Sequence, residues 1–272
     1  MDIQIRNEEL ELILGDLLEV HGYNFMGYSH ASLIRRLNRL IILDNFKSFA
    51  EFRYRVKNDH DYLKRFIEEV TVNVTEMFRD PDFYKALREK VFPQISAKPF
   101  IRIWHAGCAT GEEVYSMAIM LHEANLLHKS LIYATDINPD VLEQAKKGIM
   151  PLAYMKQYSE NYIASGGRED FSSYYTAKYD HVIFSEKLKA KMVFSEHNLV
   201  SDSTFNEFQL ILCRNVLIYF DKDLQNKVLQ LFDASLEALG YLALGSKETI
   251  KFSGIYPRFK QLERQKIWRK MK

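Results

Sequence analysis

The chain has 272 residues, of which 47% are hydrophobic and 13% aromatic, so it can bury one substantial core and still include a second, smaller domain. Its 37 basic and 36 acidic residues nearly cancel, which excludes a strong overall field toward nucleic acid or anionic membranes. Two cysteines, Cys108 and Cys213, are too few for a disulfide scaffold, and no apolar run reaches the roughly 20 residues of a membrane span. We therefore expect a cytoplasmic protein without membrane insertion.

The first part of the chain is predicted to be helical. From Asn7 to about Phe78, apolar residues recur at intervals of three and four, as in Leu10, Ile13 and Leu17. We predict an all-helical N-terminal domain over residues 1–72.

A linker is predicted over residues 73–97, after which the pattern changes. Short apolar runs at residues 100–104, 131–134, 208–213 and 240–244 alternate with amphipathic helical stretches. Such alternation is typical of β-α-β units and a mostly parallel sheet. We therefore predict an α/β domain over residues 98–272.

A glycine-containing loop, WHAGCATGEE, follows the first predicted strand. Gly107 and Gly111 lie at its strand-to-helix turn, where glycine lets the backbone approach a ligand closely. Their spacing matches neither the dinucleotide-binding fingerprint nor the P-loop motif. A tight turn without a ligand is the alternative.

Asp136 ends the next strand and is placed to bind the two hydroxyls of a ribose. The alternative is that it serves as a helix cap or turn residue. Glu113 lies in a first helical turn, where the helix dipole favours a carboxylate even without a ligand.

The predicted strand over residues 208–213 ends in a polar pair, Arg214 and Asn215. An unpaired buried guanidinium is costly, so we predict that Arg214 faces a cleft or a carboxylate. Tyr219 follows on the same segment and, from composition alone, could be an ordinary half-buried aromatic residue. Asp221 is a candidate cap for the next helix.

Basic residues are concentrated in one part of the helical region. Between residues 35 and 57 the chain has seven basic and two acidic residues. Arg35, Arg36 and Arg39 share one side of a predicted helix, and together with Arg53 they form a candidate substrate-binding patch. A solvated helix face is the alternative.

Several segments together carry a resemblance to one family. In chain order, VNVTEMFRD, IRIWHAGCATGEEVYSMAI, YATDINPDVLEQAKKGI, FSEHNL, ILCRNVLIYFD and GSKE resemble the CheR family of protein-glutamate O-methyltransferases, which esterify glutamate side chains on bacterial chemoreceptors. The likeness covers nearly the whole chain. It implies a Rossmann-like S-adenosylmethionine-dependent methyltransferase domain that carries a small antiparallel β-subdomain, at about residues 172–196, and is preceded by an all-helical domain.

The resemblance also implies roles for individual residues. The cofactor would be S-adenosyl-L-methionine, with S-adenosyl-L-homocysteine as the product. Separately, the eight histidines show no metal-ligand spacing, so we expect no metal ion. The residues implied in cofactor binding belong to an arm, the glycine loop and later strand ends: Asn73, Thr75, Arg79, Gly107, Glu113, Asp136, Asn198, Leu199, Arg214 and Asn215. Arg79 and Tyr219 would be the catalytic residues.

The implied partner is the helical cytoplasmic region of a chemoreceptor or a similar signalling protein, whose acidic methylation region would meet the basic patch. Relatives that dock on a receptor's C-terminal pentapeptide have a glycine-containing insertion near residues 177–180. This chain has no glycine there, so we do not expect dependence on such a peptide.

Two other functions are alternatives. A nucleic-acid methyltransferase usually needs an Asn/Asp-Pro-Pro-aromatic strand end, whereas the matching strand here ends in Cys213-Arg-Asn-Val, and the neutral charge also disfavours a nucleic-acid partner. A catalytically silent CheR-like scaffold, or an adenosylmethionine-binding module, would have the same fold without turnover.

Overall fold

The computed structural model describes residues 4–71, 73–262 and 264–272. Four helices come first: α1 (Asn7–His21), α2 (His30–Leu43), α3 (Phe49–Asn58) and α4 (His60–Thr71). Their apolar faces close over one core of buried side chains that includes Leu10, Leu37, Phe52 and Phe66. Residues 1–3 and Val72, which the sequence analysis included in the helical domain, lie outside the described residues.

An arm without regular structure, residues 73–80, leaves this domain and enters the next one. Met77 and Phe78 are fully buried there; the backbone N–H of Phe78 donates to Ser116 Oγ at 3.0 Å, and Asn161 Nδ2 donates to the Met77 carbonyl at 3.0 Å. The chain then continues as α5 (Pro81–Ala86), a π-helical turn (Leu87–Val91) and α6 (Phe92–Ile95). The arm is therefore fixed at its C-terminal end by the second domain.

The second domain is built on a seven-stranded sheet with the order β6-β2-β1-β7-β8-β10-β9. Strands β6, β2, β1, β7 and β8 run parallel, and β10 is antiparallel to both of its neighbours. The bounds of these strands are β1 (Ile101–Ala106), β2 (Ser130–Asp136), β6 (Met192–Glu196), β7 (Phe208–Cys213), β8 (Leu236–Leu244), β9 (Phe259–Gln261) and β10 (Ile267–Lys270). Because parallel strands share one carboxyl edge, the residues after β1, β2, β6 and β7 meet there.

Helices cover both faces of this sheet. Along β1, Ile103 packs in one buried cluster with α7 and Trp104 in another with α11, as the two-residue period of a strand requires. The helices of this domain are α7 (Glu112–Glu123), α8 (Pro139–Lys147), α9 (Met155–Ala164), α10 (Glu186–Lys189) and α11 (Lys222–Ser235). The predicted fold class is confirmed. Within the described ranges, no helix is long and apolar enough to cross a membrane.

The small antiparallel sheet has the order β3-β5-β4 and consists of β3 (Ile149–Pro151), β4 (Tyr175–Lys178) and β5 (His181–Phe184). Its bounds differ from the predicted 172–196. Strand β6 pairs in parallel with β2 in the main sheet, while β3 joins from before α9. Short strands have similar sequence patterns whichever sheet they join, and only tertiary pairing decides between the two.

Candidate functional site

One cleft lies at the carboxyl edge of the parallel strands, where the arm and the helical domain meet the sheet. It is partly open to solvent and is lined by both polar and apolar side chains, as ligand-binding clefts are. All the predicted catalytic and cofactor-binding residues line it: Asn73, Thr75, Arg79, Gly107, Glu113, Asp136, Asn198, Leu199, Arg214, Asn215 and Tyr219. The structure brings these residues together, and their roles toward a ligand stay predictions.

The glycine loop forms one wall of the cleft. Gly107 has φ of 78°, and a Cβ atom at this position would lie 2.4 Å from Cγ2 of Val216, so only glycine fits without displacing that side chain. The backbone N–H groups of Gly107 and Cys108 both donate to the Thr135 carbonyl, at 2.8 and 2.9 Å. The ends of β1 and β2 are thereby held together at the cleft.

Asp136 is buried at the end of β2 and organises two turns. Its Oδ2 accepts from the Ala109 N–H at 2.9 Å and its Oδ1 from the Asn138 N–H at 3.1 Å. Burial raises the pKa of Asp136, and the backbone N–H donors act in the opposite direction. Asn138, not Asp136, caps α8, by accepting from the Asp140 N–H at 3.0 Å. Each carboxylate oxygen of Asp136 keeps a lone pair for a further donor, so its turn role and ribose binding are compatible.

Arg214 is almost fully buried and joins the arm to the sheet. Its Nη2 contacts Asp80 Oδ2 at 2.7 Å and the Arg79 carbonyl at 3.0 Å, and its Nη1 contacts Glu113 Oε2 at 3.0 Å. The guanidinium carbon also lies 4.1 Å from the centre of the Phe83 ring. The prediction that Arg214 faces a carboxylate is confirmed.

Glu113 is held on its other side by a buried histidine. His105 Nδ1 lies 2.9 Å from Glu113 Oε1, so both oxygens of this carboxylate already have protein partners. Burial alone would raise the pKa of Glu113, but the hydrogen bond with His105 and the charge of Arg214 outweigh it and lower the pKa below its usual value. Glu113 is therefore an ionised anchor at the start of α7, with lone pairs left for a ligand donor.

Arg79 contrasts with Arg214, although both line the cleft. Among the described residues, its side chain has one hydrogen bond, which is long, 3.5 Å from Nη1 to the Val74 carbonyl, and it forms no ion pair with a carboxylate. Its guanidinium is therefore available to an incoming carboxylate, which arginine can bind with two parallel hydrogen bonds.

Residues 215–220, which we call the Tyr219 segment, are fixed from beneath by Glu248. This carboxylate is 4% exposed and accepts from the backbone N–H groups of Gly245 at 2.6 Å, Asn215 at 3.0 Å and Ile218 at 3.3 Å. The sequence analysis included the GSKE motif in the resemblance but assigned no role to Glu248. The signal was present, since an acidic residue close after an apolar strand needs donors.

The helical domain fixes the Tyr219 segment from another direction. The Ser29 N–H donates to the Tyr219 carbonyl at 2.8 Å, and the Tyr28 ring packs edge-on against Phe220 with 4.8 Å between ring centres. The Arg36 guanidinium lies 5.1 Å from the centre of the Tyr219 ring. The N-terminal domain thus contributes directly to the cleft.

The cleft also has lining residues that the sequence analysis missed, among them Tyr28, Ile137 and His197. Tyr28 has no local signal, because it reaches the cleft only through packing of the helical domain. Ile137 and His197 directly follow the ends of β2 and β6, so their places after strand ends could have marked them. In the described part of the chain, no three His, Cys, Asp or Glu side chains are grouped to hold a metal ion.

The four arginines of the predicted substrate patch have different surroundings. Arg35 and Arg39 are exposed on α2, where Arg39 Nη1 lies 3.5 Å from Glu69 Oε1, and Arg36 is half-buried and donates to the Glu69 carbonyl at 3.1 Å. Arg53 instead forms two hydrogen bonds with Asp16 of α1, at 2.5 and 3.2 Å. The structure thus gives Arg53 a partner inside the helical bundle and leaves α2 as the basic face.

Comparison with known proteins adds the following findings. Residues 73–267 match the family described as CheR methyltransferase, SAM binding domain, and residues 8–71 match CheR methyltransferase, all-alpha domain. A protein of Pseudomonas putida named Cher3 is 45% identical over 263 residues, which are 96% of this chain and 96% of that protein. A chemotaxis protein methyltransferase of Listeria monocytogenes is 31% identical, over 84% of this chain and 85% of the relative. A 104.1 kDa protein of Rhodobacter capsulatus is 29% identical over 86% of this chain, but the chain spans only 25% of that protein.

Proposed function

The chain belongs to the CheR methyltransferase family, and we propose that it transfers the methyl group of S-adenosyl-L-methionine to glutamate side chains of a chemoreceptor or related signalling protein, giving glutamate 5-O-methyl esters. The observation that carries this proposal is the convergence of the arm, the glycine loop, Asp136 and Tyr219 on one cleft. Relatives named chemotaxis protein methyltransferase support the substrate class.

The residues of the cleft fit the cofactor. Asp136 has carboxylate lone pairs left for ribose hydroxyls, and Gly107 lets the backbone come close. We assign the adenine side to Asn198 and Leu199, and the amino-acid end to the arm residues Asn73 and Thr75, with Glu113, Arg214 and Asn215 completing the site. When bound, the cofactor supplies an electrophilic methyl group on a sulfonium.

The remaining task of the protein is to position the substrate. A glutamate side chain is already ionised at neutral pH, so its attack needs no general base. We assign Arg79 to hold the incoming carboxylate and Tyr219 to orient the reacting groups. Both line the cleft, and Arg79 has no carboxylate partner among the residues that the structure describes. The opposite charges of nucleophile and donor disappear during the transfer, so a cleft with little water favours it.

We propose that the chain has three parts with different roles. Residues 1–72 engage the substrate, residues 73–97 form the linker and arm, and residues 98–272 hold the cofactor. The basic face of α2, with Arg35, Arg36 and Arg39, would meet the acidic helical region of a cytoplasmic receptor domain. The β4–β5 hairpin closes with two residues, Tyr179 and Asp180, and has no insertion, which supports independence from a receptor C-terminal pentapeptide. Such a substrate requires a cytoplasmic enzyme.

Calorimetric titration with S-adenosyl-L-homocysteine tests the cofactor site. We expect the wild type to bind and Asp136→Ala to lose binding. Asp61→Ala serves as the control, because Asp61 is exposed on α4 and does not line the cleft. Methyl transfer is then measured on purified cytoplasmic fragments of receptors, as radioactivity released as methanol by mild base. Binding without base-labile transfer to any fragment would favour the adenosylmethionine-binding module. No binding by the wild type would refute the enzyme and leave a scaffold built on a methyltransferase fold.

A further inference from the structure

A loop beside the cleft presents an aromatic side chain to solvent. Phe252 is 96% exposed, although the loop around it is well anchored. Ile250 and Ile255 on either side are fully buried, and the Gly254 N–H donates to Asn226 Oδ1 of α11 at 3.1 Å. Ser253 Oγ also donates to the Ile250 carbonyl at 2.7 Å. The ring is therefore held outward by a fixed backbone, which lowers the entropy cost of using it in a contact.

This loop is directly connected to the cleft. Glu248 lies four residues before Phe252 and accepts hydrogen bonds from Asn215 and Ile218 of the Tyr219 segment. Ile250 and Ile255 pack in the same apolar cluster as Leu217. The loop and the Tyr219 segment therefore form one unit, and α2 reaches the same segment through Arg36.

The loop also carries unneutralised positive charge. Lys247 and Lys251 are exposed, and neither has an ion pair with a carboxylate of the described residues. Arg35 on α2 is exposed and unpaired in the same sense. Two basic surfaces thus adjoin the segment that holds Tyr219, and between them they suit a partner with acidic residues near the reacting glutamate.

We propose that residues 246–252, which we call the docking loop, form a second substrate-docking surface beside the basic face of α2. The partner is an acidic amphipathic helix: its carboxylates face Lys247 and Lys251, and an apolar residue packs on the Phe252 ring as a central anchor. This inference rests on the proposed methyl transfer and adds where the substrate helix is held. The docking loop contributes to substrate affinity and not to the chemical step.

Steady-state methylation of a purified receptor fragment tests the proposal. The variants are Phe252→Ala and the double change Lys247→Glu with Lys251→Glu. The matched controls are Tyr179→Ala, which removes an aromatic side chain that is 89% exposed on the small sheet, and Lys178→Glu beside it. We expect each docking-loop variant to raise KM for the fragment about tenfold with kcat unchanged, as loss of an interface anchor does. The charge variant should also weaken the salt dependence of KM.

Three outcomes separate the possibilities. Binding of S-adenosyl-L-homocysteine should be equal in all variants, and thermal unfolding should be unchanged, because Phe252 buries almost nothing. If the wild type methylates the fragment and both docking-loop variants keep KM within twofold of the controls, the docking surface is wrong and the proposed function stands. If the wild type methylates no receptor fragment, the proposed function fails and this inference falls with it. Self-association of the wild type that Phe252→Ala abolishes, at unchanged KM, would make the loop a contact between copies and overturn the proposal.

Discussion

The cleft and the surface of the helical domain both contain arginines, but these arginines differ in burial and in the number of their ion pairs. Arg214 is buried between two carboxylates and an aromatic ring, whereas Arg35 and Arg39 on α2 are exposed with few partners. Arg36 and Arg53 lie between these extremes. The role of an arginine follows from how many counter-charges the fold brings to it. Arg214 fixes the site, whereas Arg35 and Arg39 remain accessible to a partner.

Removing the guanidinium of Arg214 should have the largest effect. Arg214→Met would leave Glu113 without its buried cation and would remove the ion pair that joins Asp80 to the sheet. We expect the free energy of unfolding to fall by about 3 kcal/mol and cofactor binding to be lost. Urea denaturation and calorimetry would measure the two effects. A loss below about 1 kcal/mol, which is the value of an exposed ion pair, would remove the distinction between the two regions.

Arg53→Ala should have the next largest effect and should spare the cleft. Asp16 is buried and would keep only Lys57, at 2.7 Å, as a charged partner. We expect a stability loss of about 1 kcal/mol with unchanged S-adenosyl-L-homocysteine affinity. Arg55→Ala, which breaks an exposed pair between Arg55 on α3 and Asp59 just after this helix, is the matched control and should cost less. A large change in methyl transfer at unchanged stability would instead return Arg53 to the substrate patch.

The pH dependence of stability gives a second test of the pair between Arg53 and Asp16. Hydrogen bonding with Arg53 is the main cause that lowers the pKa of Asp16 in the folded chain, against the opposing effect of burial. A carboxyl group with a lowered folded pKa stabilises the fold above its unfolded pKa of about 3.9 and loses that contribution as pH falls toward the folded value. The stability difference between wild type and Arg53→Ala should therefore be constant from pH 7 to about 5 and shrink below pH 4. Fluorescence-detected urea unfolding along this pH series would show it, and a difference that grows in acid would contradict this assignment.

Arg36→Ala should affect turnover more than stability. Its guanidinium lies over the Tyr219 ring, a contact of about 1 kcal/mol, so its loss should lower kcat several-fold by loosening Tyr219. Arg36→Lys should restore part of the rate, because an ammonium also binds a ring face but cannot match the planar guanidinium. Equal kcat in all three proteins, with only KM changed, would limit Arg36 to its proposed role on the basic face of α2 and rule out an effect through Tyr219.

The smallest effect on the fold is expected at Arg39. Its contact with Glu69 is long and exposed, so Arg39→Ala should change stability by less than about 0.5 kcal/mol. Any effect on methylation should appear in KM and diminish with added salt. A stability loss as large as that of Arg53→Ala would show that α2 carries structural ion pairs as well.

Much of this fold could be predicted from periodicity. The strand predicted at residues 208–213 has those bounds in the structure, and the one predicted at 100–104 is shifted by one or two residues. The assignment of β6 to the small sheet was wrong, because strand pairing is a tertiary property that a local pattern does not contain.

The site was predictable where a charged residue follows a buried strand, because such a residue requires a partner of opposite charge. Arg214 had to face a carboxylate, but its partner Asp80 lies 134 residues earlier in the chain, and no spacing rule connects them. Arg53 shows the opposite case. Its charge was visible in the sequence, but its pairing with Asp16 was not, because Asp16 reaches it only through the packing of α1 on α3. Tyr28 was not predictable at all, since it enters the cleft through the contact between domains.

That contact has a consequence for engineering. Because Ser29 and Tyr28 hold Tyr219 and Phe220 directly, the helical domain is part of the active-site wall and not an exchangeable targeting module. A chimaera that imports residues 1–71 from a relative with different specificity must import residues 215–220 with them. Such a design must therefore transfer the whole interface and not one domain alone.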